Sequence, residues 1–382
     1  MEVPIMKPRL YDGLTQGPNY SYNYLGTLTH CRKCEVREIR NGAYTLTLET
    51  TINDDCADQI LSQRMIGVKP NPFDEMQFFE IQKTTRSLDG IIKVEAKHIK
   101  NLCFQICSEG DVGREGVPTY YTGTPDQVWN LIVSQYVPGH SVPFSFSSDI
   151  TTTARYYLGL SEAETLGNML GGKEGSFTDM WNGEYHWDNF NIDFLSSRGR
   201  TTNYKLQYGQ NISSATQSES CENMYSHILP YGKVSLGNYK INFFANRFEI
   251  DGHHCQYEKT YMLDCTNFLD AYEVGPQGRD YDVVQAAMTA YARNYAKVNG
   301  LGNPSVCIKV DMRATLDEMS QIGLCDTVNI QLDPFGTQAS AQIVDVTYDV
   351  LMERWNKLVI GTPTITVADF ILNKRRFFND NR

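Results

Sequence analysis

Four carboxylates, Asp179, Glu184, Asp188 and Asp193, lie close together in the sequence. Two of them could hydrolyse a glycoside, one as general acid and one as nucleophile or base, once a fold sets their separation. Spacing along the chain sets no such distance, and a solvated acidic face explains them as well. His253-His254-Cys255 is the one dense His/Cys group. Neighbours on a strand point to opposite faces, so a single metal ion does not readily take both histidines. A surface hairpin tip at Asp251-Gly252 is the simpler reading. Cys31-Arg32-Lys33-Cys34 has the spacing of half a zinc site, but no second pair matches it, and His30 still leaves a tetrahedral site one ligand short. Gly167 to Lys173 place their glycines and lysine as a phosphate-binding loop does. Glu174, however, stands where a Ser or Thr would hold magnesium, and the segment follows a helix rather than a strand. A helix end and a turn account for it. Neither G-x-S-x-G nor H-E-x-x-H occurs. The expectation is a chain without catalytic, cofactor-binding or metal-ligating residues, and not an enzyme.

Composition narrows the class. A chain of 382 residues suggests two or three domains at about 150 residues each. The apolar share of 41% is enough for real cores. With 45 acidic against 34 basic side chains the net charge is −11, which argues against tight binding of nucleic acid, since Lys and Arg supply the phosphate contacts. No segment approaches the roughly 20 apolar residues of a membrane helix, and the start MEVPIMKPRL is not of signal-peptide type. A soluble protein made in a cytosol is expected. The ten cysteines are too dilute for a disulfide scaffold and fit a reducing compartment.

The elements that would position these residues read mainly as strands. Val328, Ile330 and Leu332 alternate with polar residues, as do Val344, Val346, Tyr348 and Val350, and a third strand with Leu358 and Ile360 ends at Gly361. Near the N-terminus, Asn41-Gly42 signals a hairpin into Tyr44, Leu46 and Leu48. Phe79 and Ile81, then Asp89-Gly90, then Ile92, Val94 and Ala96 make a similar meander. Gln77–Ile81 laid over Gln342–Val346 matches in polarity at every place, a short signal of internal duplication. The middle differs. Thr124-Pro125-Asp126-Gln127 is a helix start with a capping box, Ser161 to Glu164 is read as a second one, and Trp187, Phe190, Ile192 and Phe194 suggest a strand. Val284, Ala287, Met288, Tyr291, Tyr295 and Val298 fall on one face of a helix.

The order of motifs Gly175-Ser-Phe-Thr-Asp-Met-Trp-Asn-Gly-Glu184, Trp187-Asp-Asn-Phe190, Arg198-Gly199, Tyr208-Gly-Gln-Asn211 and Leu229-Pro-Tyr-Gly232, with Asn41-Gly42-x-Tyr44 before and Val344–Gly361 after, resembles the tail-associated hub proteins of long, non-contractile-tailed phages (siphophages) of Gram-positive bacteria. These are also known as phage minor structural or prophage endopeptidase tail proteins. The resemblance covers almost the whole chain. It implies an α+β, mainly β fold like the contractile-phage baseplate hub, with two similar β-barrel domains separated by α+β inserts. The expected division is residues 1–108 for the first barrel, 109–204 for an α+β insert, 205–363 for the second barrel with a helical insert at about 251–302, and 364–382 for a C-terminal tail.

It further implies a homotrimer whose six barrels imitate sixfold symmetry. Such a ring would close the distal end of the tail tube and its DNA exit channel in the virion tail tip. A distal tail protein hexamer would be its partner, with receptor-binding, other baseplate and tape measure proteins as further candidates. Long members of the group continue into a peptidoglycan hydrolase, whereas this chain stops soon after the second barrel. A structural hub is therefore preferred, and a tail-associated cell-wall hydrolase (endopeptidase or glycosidase) is the alternative. DNA would pass without specific binding, so the channel lining is expected to be poor in Lys and Arg, with the basic run Lys374–Arg376 away from it.

Overall fold

The computed structural model describes residues 7–13, 24–108, 120–137, 142–158, 164–171, 175–222, 224–236, 239–270, 281–313, 321–335 and 337–361. Lys374–Arg376, Ser161 and Gly172–Glu174 lie outside them.

Strands dominate. The first seven are β1 (Arg9–Tyr11), β2 (Tyr24–Thr27), β3 (Lys33–Ile39), β4 (Tyr44–Thr51), β5 (Met65–Val68), β6 (Gln77–Arg86) and β7 (Ile91–His98). In β4, β6 and β7 the alternation is the one read from the sequence, and β3 shows it too. Cys34, Val36, Tyr44, Leu46, Leu48, Ile92, Val94 and Ala96 are buried, while the residues between them face water. Asn41 turns the β3–β4 hairpin at φ 53°, and Gly90 turns β6 into β7 at φ 79°.

The first half carries the antiparallel order β3-β4-β7-β6-β5. The second half repeats it with the strands Ile212–Ser220, Ser305–Met312, Arg354–Gly361, Thr337–Asp349 and Thr327–Leu332. A bulge sits in the fourth strand of each copy, between Ile81 and Lys83 in one and between Ile343 and Asp345 in the other. Duplication is therefore present in the topology. The matching bulges set Ile81 against Ile343, three residues away from the register that polarity alone suggests. Residue polarity misses this register because the bulge interrupts the period of two within each strand.

The halves are not two separate closed barrels. β3 pairs on its outer side with Thr337–Asp349, so both halves lie in one sheet of thirteen strands, and no closed barrel occurs among the described residues. One apolar core underlies both halves and the insert between them. The insert packs Trp129, Phe146, Phe177, Trp181 and Phe194 around the hairpin Glu184–Asp188/Asn191–Leu195, with Ser145–Ser148 parallel to its second strand. The helix Pro125–Leu131 starts with the expected capping box of Thr124 and Gln127. The next helix, Leu166–Leu170, is capped by Thr165, which accepts from the Asn168 amide.

A second core is built by the stretch of chain inserted between the first two strands of the repeated half, which themselves pair directly. There the helix Tyr281–Val298 buries Val284, Met288, Ala292 and Ala296 against Ile228, Leu263 and Leu269. The periodicity located this helix. Its buried stripe runs through Ala292 and Ala296, with Tyr291 and Tyr295 at the margin.

Candidate functional site

The insert hairpin is wedged where the two halves meet, and its polar residues hold it there. Asn41, at the β3–β4 turn, donates from Nδ2 to the Gly183 carbonyl at 2.9 Å and accepts from the Tyr185 amide at 2.9 Å. Gln342 of the second half donates to Glu184 Oε1 at 2.8 Å and to the Cys325 carbonyl at 2.8 Å. Arg40 of the first half bonds Gln342 and lies 3.7 Å from Glu184. At the other end of the same strand, Gln77 donates to Asp188 Oδ1 at 2.8 Å and accepts from the Asn189 amide at 2.7 Å. Asn189 returns two bonds to β6 and the loop before it, accepting from the Phe78 amide and donating to the Met76 carbonyl.

Below this lie buried titratable groups. His98 accepts the Lys100 amide at Nδ1 and donates from Nε2 to Gln77 Oε1 at 3.1 Å, stacked on Tyr44. Burial holds its pKa well below the usual imidazole value, so it is neutral. Lys100 reaches the Gly42 carbonyl and sits 5.3 Å from the centre of the Trp187 ring, and burial lowers its pKa to about 8. Arg198, which leaves the hairpin, grips Glu38 of β3 through both guanidinium nitrogens. His186 lies between Asp74 and Asp193, 3.1 Å from each. Both acceptors are carboxylates, so each ring nitrogen donates, and the imidazolium is favoured by the Asp74 hydrogen bond first and against burial.

The four carboxylates do not form a cleft, and they are not a solvated acidic face. Glu184 holds Gln342 and Arg40, Asp188 holds Gln77, and Asp193 holds His186 and the Ser147 hydroxyl. Asp179 accepts from the Gly175 amide, and burial raises its pKa to about 6. The signal that could have found this is the spacing Glu184–Asp188: four residues apart on a strand, their side chains leave by the same face.

The other candidates stay apart. Cys34 is buried in the core, and the Cys31 thiol donates to the Lys33 carbonyl. His253 lies 3.0 Å from Glu249 and follows the turn at Gly252, which is not a hairpin tip: the flanking strands Phe248–Glu249 and Thr260–Asp264 each pair with His227–Leu236 and not with one another. Among the described residues no cluster of three or more His, Cys, Asp or Glu is arranged to hold a metal. Gly167 lies within a helix against the Phe104 ring, where an added Cβ would come within 2.4 Å of a ring carbon.

The solvent face where the halves join is the other polar feature. A depression of about 480 Å³ there is lined by Arg37, Lys309 and Lys357 as well as Glu35 and Asp345. This face is not poor in cations. Arg37 is matched by Asp345 at 2.6 Å, and the same face carries Lys33–Glu35 at 3.0 Å, Lys93–Glu49 at 3.1 Å and Lys83–Glu95 at 3.2 Å, whereas Lys309 and Lys357 have no carboxylate at ion-pair distance among the described residues.

A mainly β chain with a doubled five-strand order has known counterparts in phage tails. Prophage tail protein gp18 from Listeria monocytogenes EGD-e has a TM-score of 0.57 with this chain at 14% identity, over 98% of this chain and 100% of that one. The 43 kDa tail protein of prophage MuSo2 from Shewanella oneidensis gives 0.55 at 12% identity, over 93% and 98%. A tail protein from Neisseria meningitidis MC58 gives 0.54 at 10% identity, over 95% and 99%. The chain shares the fold of these prophage tail proteins. No protein-family model matches it, and no curated protein does so by sequence.

Proposed function

We propose that the protein is a non-enzymatic structural hub of a phage tail tip. Three copies form a ring that closes the distal end of the tail tube and its DNA channel, seated on a distal tail protein hexamer. The observation that carries this reading is the five-strand order repeated within one chain whose length follows prophage tail proteins nearly end to end. Two like halves per chain give a threefold ring six similar surfaces, the smallest such closed arrangement on a sixfold partner. The working division is 1–108 and 205–363 for the two halves, 109–204 for the insert, and 364–382 for a tail.

The polar groups favour a structural role. Each carboxylate of the insert is engaged by a different neighbour, which leaves none free to act as a paired acid and base. DNA passes without specific binding: acidic side chains outnumber basic ones, 45 to 34, and Arg37 of the junction face is already held by Asp345. The deciding experiment is a reconstruction of the tail tip, together with the mass of purified protein alone and with a distal tail protein. Three copies are expected; one, two or six would refute the ring. Clearing of cell walls in a zymogram, abolished by Asp188→Asn, would refute the non-enzymatic role.

A further inference from the structure

Among the strand edges left open in the described residues are two that a repeat of the internal junction would join. At that junction β3, the first strand of the first half, pairs antiparallel with Thr337–Asp349, the fourth strand of the second half. Its register runs from Asp345 opposite Ile39 to Asp349 opposite Glu35. Arg37–Asp345 and the bond from the Arg40 amide to the Val344 carbonyl add to it.

In the second half the first strand is Ile212–Ser220. It pairs with Ser305–Met312 on one side and with no strand on the other. In the first half the fourth strand is β6. Its residues 77–80 pair with β5, and beyond Ile81 that side takes no further backbone bond among the described residues. Gln82, Lys83, Thr85 and Arg86 are exposed, as are Ser213, Ser214 and Thr216–Glu219.

We propose that the edge strand Ile212–Ser220 is an interaction surface for a second copy of this chain, which adds residues 83–87 of its β6 segment antiparallel to it. Within the hub reading, on which this rests, the junction inside the chain and the contact between chains are then two versions of one strand pairing. An open edge is a template for another strand, and soluble proteins commonly guard it with Lys or Pro. Ile212–Ser220 has neither. Its exposed Ser and Thr residues keep it soluble. Its one charge, Glu219, would come opposite a segment carrying Lys83 and Arg86. The contact is head-to-tail, so it uses a different edge on each copy and can continue round a ring.

The register follows from the repeat. Matching bulges put Lys83 in the place of Asp345. Matching partners on the neighbouring strands put Ser218 in the place of Arg37 and Ser220 in that of Ile39. The internal pair Thr347 and Arg37 then corresponds to Thr85 of one copy opposite Ser218 of the next.

The test is disulfide trapping in the full chain, with the exposed Cys107 and Cys221 changed to Ser. Thr85→Cys with Ser218→Cys should link copies into covalent dimers and trimers under mild oxidation. Thr84→Cys with Ser218→Cys should not, because adjacent strand residues face opposite ways. Thr85 and Ser218 are exposed and Thr84 is half-buried, and an unchanged melting curve verifies the fold. If mass measurements show trimers but Thr85/Ser218 does not link, the strand pairing is overturned and the ring survives. If neither trimers nor links form, alone or with the distal tail protein, both are overturned.

Discussion

Arg198 Nη1 lies 2.5 Å from Glu38 Oε1, and Nη2 lies 3.2 Å from Oε2, with only 11% and 7% of the two side chains exposed. The pair joins the end of the insert hairpin to the first half. Its charge-assisted, two-pronged geometry offsets the desolvation that buried ions incur. Removing one partner strands the other. Arg198→Met is expected to cost about 3–5 kcal/mol, and Arg198→Met with Glu38→Leu should cost less than the single change. Denaturant midpoints of the three proteins check this.

His186 makes stability depend on pH in a definite direction. Its folded pKa is raised, chiefly by the Asp74 hydrogen bond. The stabilisation is therefore full below the ordinary imidazole value of 6.5 and is lost as pH rises through the higher folded value. Asp74 is lowered; burial opposes this, but the bonds from His186 and Asn71 outweigh it, so its contribution disappears only as pH falls through that lowered value. His186→Gln should flatten the decline in stability above neutrality, seen in melts across pH 6 to about 8.5. An unchanged decline would show that another group causes it.

Asp179 behaves in the opposite sense. Burial raises its carboxyl to about 6, so the charged form burdens the fold at neutral pH and the burden fades as pH falls toward the ordinary carboxylate value. Asp179→Asn keeps an acceptor for the Gly175 amide. It should stabilise the protein at pH 7 by no more than about 3 kcal/mol and change little near pH 4. Paired thermal melts at the two pH values decide it.

Gly199 follows the ion pair, and a Cβ there would lie 2.0 Å from the Cys325 carbonyl oxygen. That atom is backbone, so it cannot swing away as a side chain could. Gly199→Ala should cost at least about 1–3 kcal/mol and lower the yield of soluble protein, whereas Gly209→Ala, where no atom lies within 4 Å, meets no packing clash and carries only the backbone strain of its φ of +83°.

The sequence by itself determined what depends on neighbours along the chain. Alternation placed β4, β6 and β7 and, in the second half, the strands Thr327–Leu332, Thr337–Asp349 and Arg354–Gly361. Thr124 and Gln127 placed a helix start, Asn41-Gly42 placed a hairpin, and the 281–298 periodicity placed the long helix. These are local signals, in which a residue type meets a fixed geometric period. The order of motifs also pointed to the phage-tail fold that the structural matches support.

Tertiary structure alone decided how the pieces join. Nothing in the residues of Thr337–Asp349 says that its outer edge takes β3 rather than closing a barrel of its own, because backbone edges carry no residue code. The repeat showed its true register only through matching bulges. Glu184, Asp188 and Asp193 looked like a solvated acidic face until Gln342, Gln77 and His186, distant in sequence, were brought against them. A carboxylate's role depends on the partner that the fold delivers, and that partner cannot be read from the carboxylate's own stretch of chain.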